Sequence, residues 1–324
     1  MRLYRLLFAL AAAYNLAFGV WAGFFPQAFF TLFRLEPTNY PSLWACLGMV
    51  VGVYALAYAY VAWKPEDGDV LIWIGLIGKI LGPLGWIKTV WEGGLPPRTF
   101  PLILANDLIW WFPFLLYLFR NHKSRAKILV SLVVFVHLVA CLGALLASGG
   151  TEIVSSLAGR QQWILNSIPL WTTVWMAWVL SSLSLLAFFP LWAWELKSRL
   201  GAFIFAAVAF DLVGELHYIV LATDPALTLE QFAEAVSRYN FFSVVLANGL
   251  YCLLGLVFSA LSWKKSFLRG GVGVLGFAMW TTGLGLSLAA LVESRLGIIV
   301  GAAAVMALFV PWAALAGWRF QKPL

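Results

Sequence analysis

Long apolar runs, separated by short polar punctuation, cover almost the whole chain. A helix needs about 20 mostly apolar residues to cross hydrocarbon. The pattern predicts ten such helices, over 3–25, 41–63, 70–91, 99–119, 128–147, 164–194, 200–222, 240–263, 271–291 and 296–318. The sixth run is over-long, with Pro169 and Pro190 near its ends, which predicts an interfacial turn or a kink. Between the seventh and eighth runs, Leu229, Phe232, Val236 and Tyr239 recur at steps of three and four. Glu230, Gln231, Glu234 and Arg238 occupy the other face. That pattern predicts a short amphipathic helix near 227–239, lying on the outer surface. Residues 27–40, ending before Pro41, read as a second surface segment. Either piece is placed to cap a cavity opening or to serve as a wet connector.

Composition narrows the class. Of 324 residues, 63% are hydrophobic and 11% are charged, against about 25% charged in an ordinary soluble domain. So few charges do not cover a soluble surface. The expected fold is an all-α, polytopic integral membrane helix bundle. A net charge of +7 does not point to nucleic acid, because the basic residues cluster at the ends of apolar runs and form no soluble patch with interleaved aromatics.

Those basic residues orient the chain instead. With the N-terminus in the cytoplasm, Arg2, Arg5, Lys64, Lys197, Arg199, Lys264, Lys265, Arg269, Arg319 and the Arg120–Lys127 cluster fall inside. Arg34, Lys88, Arg98, Arg160, Arg238 and Arg295 fall outside. Both termini are therefore expected in the cytoplasm. The first run follows Arg2 and Arg5 and imitates a signal peptide. It continues to Phe25 and is expected to stay as a spanning helix. The basic linker at 121–127 divides a four-helix module (1–120) from a six-helix module (128–324). No soluble domain is predicted, so any chemistry belongs in or at the bilayer. Membrane lipids are the expected surroundings, with other membrane subunits as further candidate partners.

Packing signals concentrate early. Gly48 and Gly52 form one G-x-x-x-G, and Gly78 and Gly82 form another, extended by Gly75 and Gly85. Small-residue faces let helix backbones approach closely in lipid, so the second and third spans are expected to pair, with Pro83 as a kink. Eighteen tryptophans divide into two groups. Trp21, Trp44, Trp63, Trp91, Trp163, Trp194, Trp263 and Trp318 sit near span ends as interfacial anchors. Trp73, Trp110, Trp111, Trp175, Trp178 and Trp280 lie deeper, where they fill core or wall a flat apolar ligand.

Two polar constellations interrupt the apolar runs, and charge at mid-membrane depth is costly enough to need a partner or a role. The first is Asn15, Lys79, Asn106 and Asp107. Counting ~1.5 Å per residue places Asn15, Lys79 and Asp107 near the midplane, so a Lys79–Asp107 ion pair is expected. That pair either fixes helix register or anchors a ligand. The second is Asp211 and Glu215, four apart on one helix face that Tyr218 extends. The antiparallel eighth span brings Asn248 to the depth of Glu215 and Tyr251 to the depth of Asp211. Two carboxylates this close in a low dielectric would share a proton, a usual ingredient of acid/base catalysis and proton-coupled transport. Asp211 and Glu215 are thus the candidate catalytic groups, with Asn248, Tyr251 and Tyr218 as ligand-binding neighbours.

Other chemistries are poorly served. His137 and His217 differ in depth by ~12 Å, which argues against shared haem ligation. No Glu-x-x-His repeat supports a di-iron site. A Schiff base at Lys79 with Asp107 as counter-ion fits neither the helix count nor the early lysine. No G-x-S-x-G, H-E-x-x-H or phosphate-binding loop occurs. Cys46, Cys141 and Cys252 lie singly within apolar runs and are expected to pack as small apolar residues. No metal and no particular cofactor is indicated.

Residues 1–120 resemble a family of small four-helix bacterial membrane proteins. The resemblance rests on Tyr-Asn-Leu-Ala-Phe-Gly from Tyr14, Pro-Thr-Asn-Tyr-Pro-Ser-Leu-Trp from Pro37, Gly-Leu-Ile-Gly-Lys-Ile-Leu-Gly-Pro-Leu-Gly from Gly75, and Asn-Asp-Leu-Ile-Trp-Trp-Phe-Pro-Phe from Asn106. It implies a shape for this part of the chain and no reaction. Three readings stay open: binding or modification of a lipophilic small molecule (a lipid, isoprenoid or sterol-like compound) in an intramembrane cavity, proton-coupled transport, and a structural or pigment- or quinone-bearing subunit.

Overall fold

The computed structural model describes residues 1–121 and 125–320. Lys123 of the basic linker and Lys322 lie outside them. Among the described residues, ten helices are long and apolar enough to cross a membrane. Spans one to five are Arg2–Phe24, Pro41–Trp63, Asp69–Trp91, Pro97–Leu118 and Arg125–Leu146. Spans six to ten are Ile168–Glu195, Arg199–Ala222, Leu229–Lys264, Gly271–Leu291 and Arg295–Arg319. Their outer faces are apolar: Leu56, Leu145 and Leu296 are each about 70% exposed. Aqueous solvent would penalise that surface on every span, whereas lipid matches it. The chain is a multi-pass, all-α membrane protein.

Local signals explain where helices start and stop. Pro41 occupies the first position of span two, where its missing N–H costs nothing. Ser294 caps span ten through the Gly297 N–H, and Thr228 with Gln231 forms a capping box ahead of span eight. The over-long sixth run resolves into a separate helix, Leu157–Asn166, and span six, broken at Ser167. The amphipathic 229–239 segment does not lie apart on a surface, as its pattern suggests. It runs straight on into span eight, and it buries Phe232, Ala235 and Val236 against protein. Its apolar stripe is satisfied by packing rather than by lipid.

Contacts divide the chain into two units. The first comprises Met1–Trp86 and Leu102–Arg120, the second Ile87–Pro101 and Asn121–Leu324. The expected 1–120 module thus loses residues 87–101, which cluster with the second unit. Two contacts there account for this: the Trp91 indole donates to Thr173 Oγ1 at 3.0 Å, and the Pro97–Thr99 turn packs on span seven.

In the first unit, the closest helix pair is spans one and two, not two and three. A Cβ on Gly19 would stand 2.6 Å from Gly52 Cα, and one on Gly48 would stand 2.5 Å from Ala22 Cβ. The small face of span two therefore serves span one. The glycines of span three do different work, Gly75 beneath the Tyr58 ring and Gly82 beneath the Asp107 carboxylate. Span three continues as helix through Pro83. Phe8, Tyr58, Phe114 and Tyr117 form the aromatic centre. In the second unit, span six is central. Its apolar window is 72% buried, against at most 44% for the other spans. Phe188, Phe189 and Trp192 on it interlock with Phe258, Trp280 and Trp312, and the Trp192 indole finds Ser262 Oγ at 2.9 Å.

Candidate intramembrane site

In the first unit, Asn15, Lys79 and Asp107 are all buried, and Lys79 and Asp107 form no direct ion pair. The Lys79 ammonium donates to the main-chain oxygen of Asn106 at 2.5 Å. It lies 5.7 Å from the centre of the Trp110 ring and 6.0 Å from that of Tyr58. Asp107 Oδ1 accepts from the Asn106 amide at 2.8 Å. Asn15 turns back to Ala11 O on its own helix at 2.8 Å and joins neither charge. The reason is local. Span four is π-helical over Leu104–Leu108, and this wider turn leaves the Asn106 carbonyl for Lys79 to take. The Trp111 indole then donates to Lys79 O at 2.9 Å. Rings, backbone and Gly82 fill the space around both charges.

The second unit is built differently. A cavity of about 550 Å³ lies among spans five to ten, within the size range of small-molecule sites. Asp211, Glu215, Tyr218, Asn248 and Tyr251 all line it. Asp211 Oδ2 accepts from Ser182 Oγ at 2.6 Å and from Tyr251 Oη at 3.0 Å. Ser243 Oγ donates to the Asp211 carbonyl at 3.1 Å. The last contact requires spans seven and eight to touch at Gly214, where a Cβ would stand 2.3 Å from Ser243 Oγ.

Glu215 is 3% exposed, and its Oε2 has no hydrogen-bond partner. Asn240 Oδ1, also facing the cavity, has none either. Buried polar atoms are nearly always paired, so these two orphan acceptors stand out, together with the orphan indole N–H groups of Trp175 and Trp280 on the same wall. Aromatic rings surround them. Tyr218 and Tyr239 stack with centroids 4.5 Å apart, and the Trp175 ring meets Tyr218 edge-on at 5.2 Å. Tyr218 Oη reaches Gly150 O at 3.3 Å.

Depth counting places Tyr251 beside Asp211, and the hydrogen bond is present. It fails for Asn248. That amide donates to Gly283 O at 2.7 Å and Ser287 Oγ at 2.9 Å on span nine, not to Glu215. The cause is a π-helical stretch, Asn240–Ala247. It winds more loosely than an α-helix and turns Asn248, the next residue, toward span nine, while Tyr251 still reaches Asp211. Sequence reasoning also missed Ser182, Ser243, Tyr239, Asn240 and Glu152 on the cavity wall. Serines carry little signal in an apolar run, although Ser181, Ser182 and Ser184 on the most buried helix form a visible cluster. Glu152 is bridged to Arg160 at 2.8 Å. Among the tryptophans, Trp175, Trp178 and Trp280 line the cavity, whereas Trp73 is 43% exposed. His137 turns Nδ1 to Val133 O at 2.9 Å, His217 does the same to Val213 O, and Cys46, Cys141 and Cys252 are free thiols.

No protein-family model, curated protein or solved structure matches this chain.

Proposed function

We propose that the second unit binds a lipophilic small molecule inside the membrane, with the molecule's polar head at Glu215 and its apolar body between the aromatic and aliphatic walls. The observation that carries this reading is a buried carboxylate oxygen without a partner, on a residue that lines an apolar cavity of about 550 Å³. An unpaired buried polar group costs folding free energy, and a bound head group offsets that cost. Asp211 plays the supporting part. Its donors, Ser182 and Tyr251, hold it in place and leave Glu215 as the group available to a ligand or to a proton in transit. The excess of basic residues on one side favours both termini in the cytoplasm.

The test is native mass spectrometry of the protein released from membrane-derived nanodiscs. The wild type should carry a co-purifying lipophilic mass. Ala302 lines the cavity, and Ala302→Phe should fill it and lose that mass while the protein keeps its fold. Equal occupancy in both would remove the cavity from the account.

A further inference from the structure

From the charges around the cavity we infer that its ligand is a lipophilic amine, bound as the ammonium ion with at least one N–H. This deepens the preceding proposal and rests on it. Among the described residues, three carboxylates line the cavity, Asp211, Glu215 and Glu152, and no lysine or arginine does. Glu152 is neutralised by Arg160, outside the wall. Asp211 accepts two hydroxyl hydrogen bonds. Glu215 alone has neither a cation nor a donor on Oε2. The wall therefore has an uncompensated acid and no lysine or arginine to offset it; its imidazole, His137, turns Nδ1 to Val133 O.

The second observation is independent of charge counting. Two wall residues carry an unpartnered oxygen, Glu215 Oε2 and Asn240 Oδ1, and two carry an unpartnered indole N–H, Trp175 and Trp280. An ammonium N–H satisfies the two oxygens, while a carboxylate or phosphate head would set a second acidic group beside Glu215. The third is the wall itself. Tyr218, Tyr239 and Trp175 offer π-systems beside Glu215, and ring faces attract cations, most strongly where water is excluded. The remaining wall, from Leu185, Met279, Leu286 and Ile298, is apolar and suits a hydrocarbon body.

The experiment uses full-length protein in phosphatidylcholine nanodiscs with radiolabelled dodecylamine. Unlabelled dodecylamine, dodecanol and dodecanoate serve as competitors of equal chain length. Dodecylamine should compete best and dodecanoate worst. Glu215→Gln should weaken dodecylamine by about 30-fold or more, as expected when one side of a buried charge contact is removed. Dodecanol should change by no more than about 2-fold, since its contacts are with the apolar wall. Trp175→Leu should weaken dodecylamine by about 5-fold through the lost ring face. Asn240→Leu should also weaken it and spare dodecanol, and these two variants decide the matter should Glu215→Gln fail to fold. Dodecanol binding that Ala302→Phe abolishes, together with dodecylamine affinity unchanged in the variants or below that of dodecanoate, would overturn the amine and leave the cavity reading standing. Failure of all three compounds to bind would overturn both.

Discussion

The two units bury charge in opposite ways. In the first, Lys79 and Asp107 are enclosed by protein: a carbonyl takes the ammonium, an amide takes the carboxylate, and rings and Gly82 fill the rest. In the second, Asp211 is equally well supplied, but Glu215 faces open volume with a free oxygen. Each unit also places a π-helical stretch beside its charges, Leu104–Leu108 in one and Asn240–Ala247 in the other. Neither buried charge nor irregular helix therefore distinguishes a binding site from a brace. The difference is room: the orphan Glu215 oxygen belongs to a residue that lines a cavity of about 550 Å³. The first unit has an orphan oxygen of its own, Asn106 Oδ1, but, among the described residues, no cavity beside it.

This contrast makes the first unit's charges a matter of folding. Asp107→Ala leaves the Asn106 amide without its acceptor and the Lys79 ammonium buried with no carboxylate near it. It should cost about 3–5 kcal/mol, while replacing both charges (Lys79→Met with Asp107→Leu) should cost far less. Unfolding in mixed micelles of dodecyl maltoside and dodecyl sulfate, run as a double-mutant cycle, measures the coupling. Additive losses would show that the two charges act separately.

The packing that brings Ser243 to Asp211 comes next in size. Gly214→Val drives a side chain into Ser243 and should cost about 1–3 kcal/mol, with loss of ligand binding as spans seven and eight part. Retained stability and binding would show that their close approach is dispensable.

Glu215 should behave in the reverse sense to Asp107. Glu215→Leu removes an unsatisfied buried acid, so the variant should be as stable as wild type or gain about 1–2 kcal/mol, and it should lose amine binding. A loss of stability as large as that of Asp107→Ala would erase the contrast between the units. The smallest effect is expected at Ser182. Ser182→Ala should cost about 1 kcal/mol, because Tyr251 still donates to Asp211. A loss several times larger would make Ser182 the main support of that carboxylate.

The sequence made some of this legible and hid the rest for physical reasons. Spans are set by length and apolarity, which composition records directly, and all ten are present. Axial depth is nearly as readable, because each helical residue advances a fixed rise. That is why Tyr251 meets Asp211. Azimuth is not, once a π turn intervenes. Asn248 ends against Gly283 and Ser287 because the preceding stretch winds more loosely, and no residue type in Asn240–Ala247 signals it. Partner choice is also tertiary. The glycines of span two announce a close approach, but only the fold selects Gly19 and Ala22 over span three. The cavity is the least legible feature, since it is a volume enclosed by six helices and no single run encodes it.

The most direct measurement is an experimental density map of the protein in membrane-derived discs, read at the Glu215 carboxylate. The account predicts non-protein density in the cavity, with an atom about 2.7–3.2 Å from Oε2 and an apolar tail along Trp175. A carboxylate hydrogen-bonded to a protein side chain, beside a cavity closed by repacked helices, would contradict it.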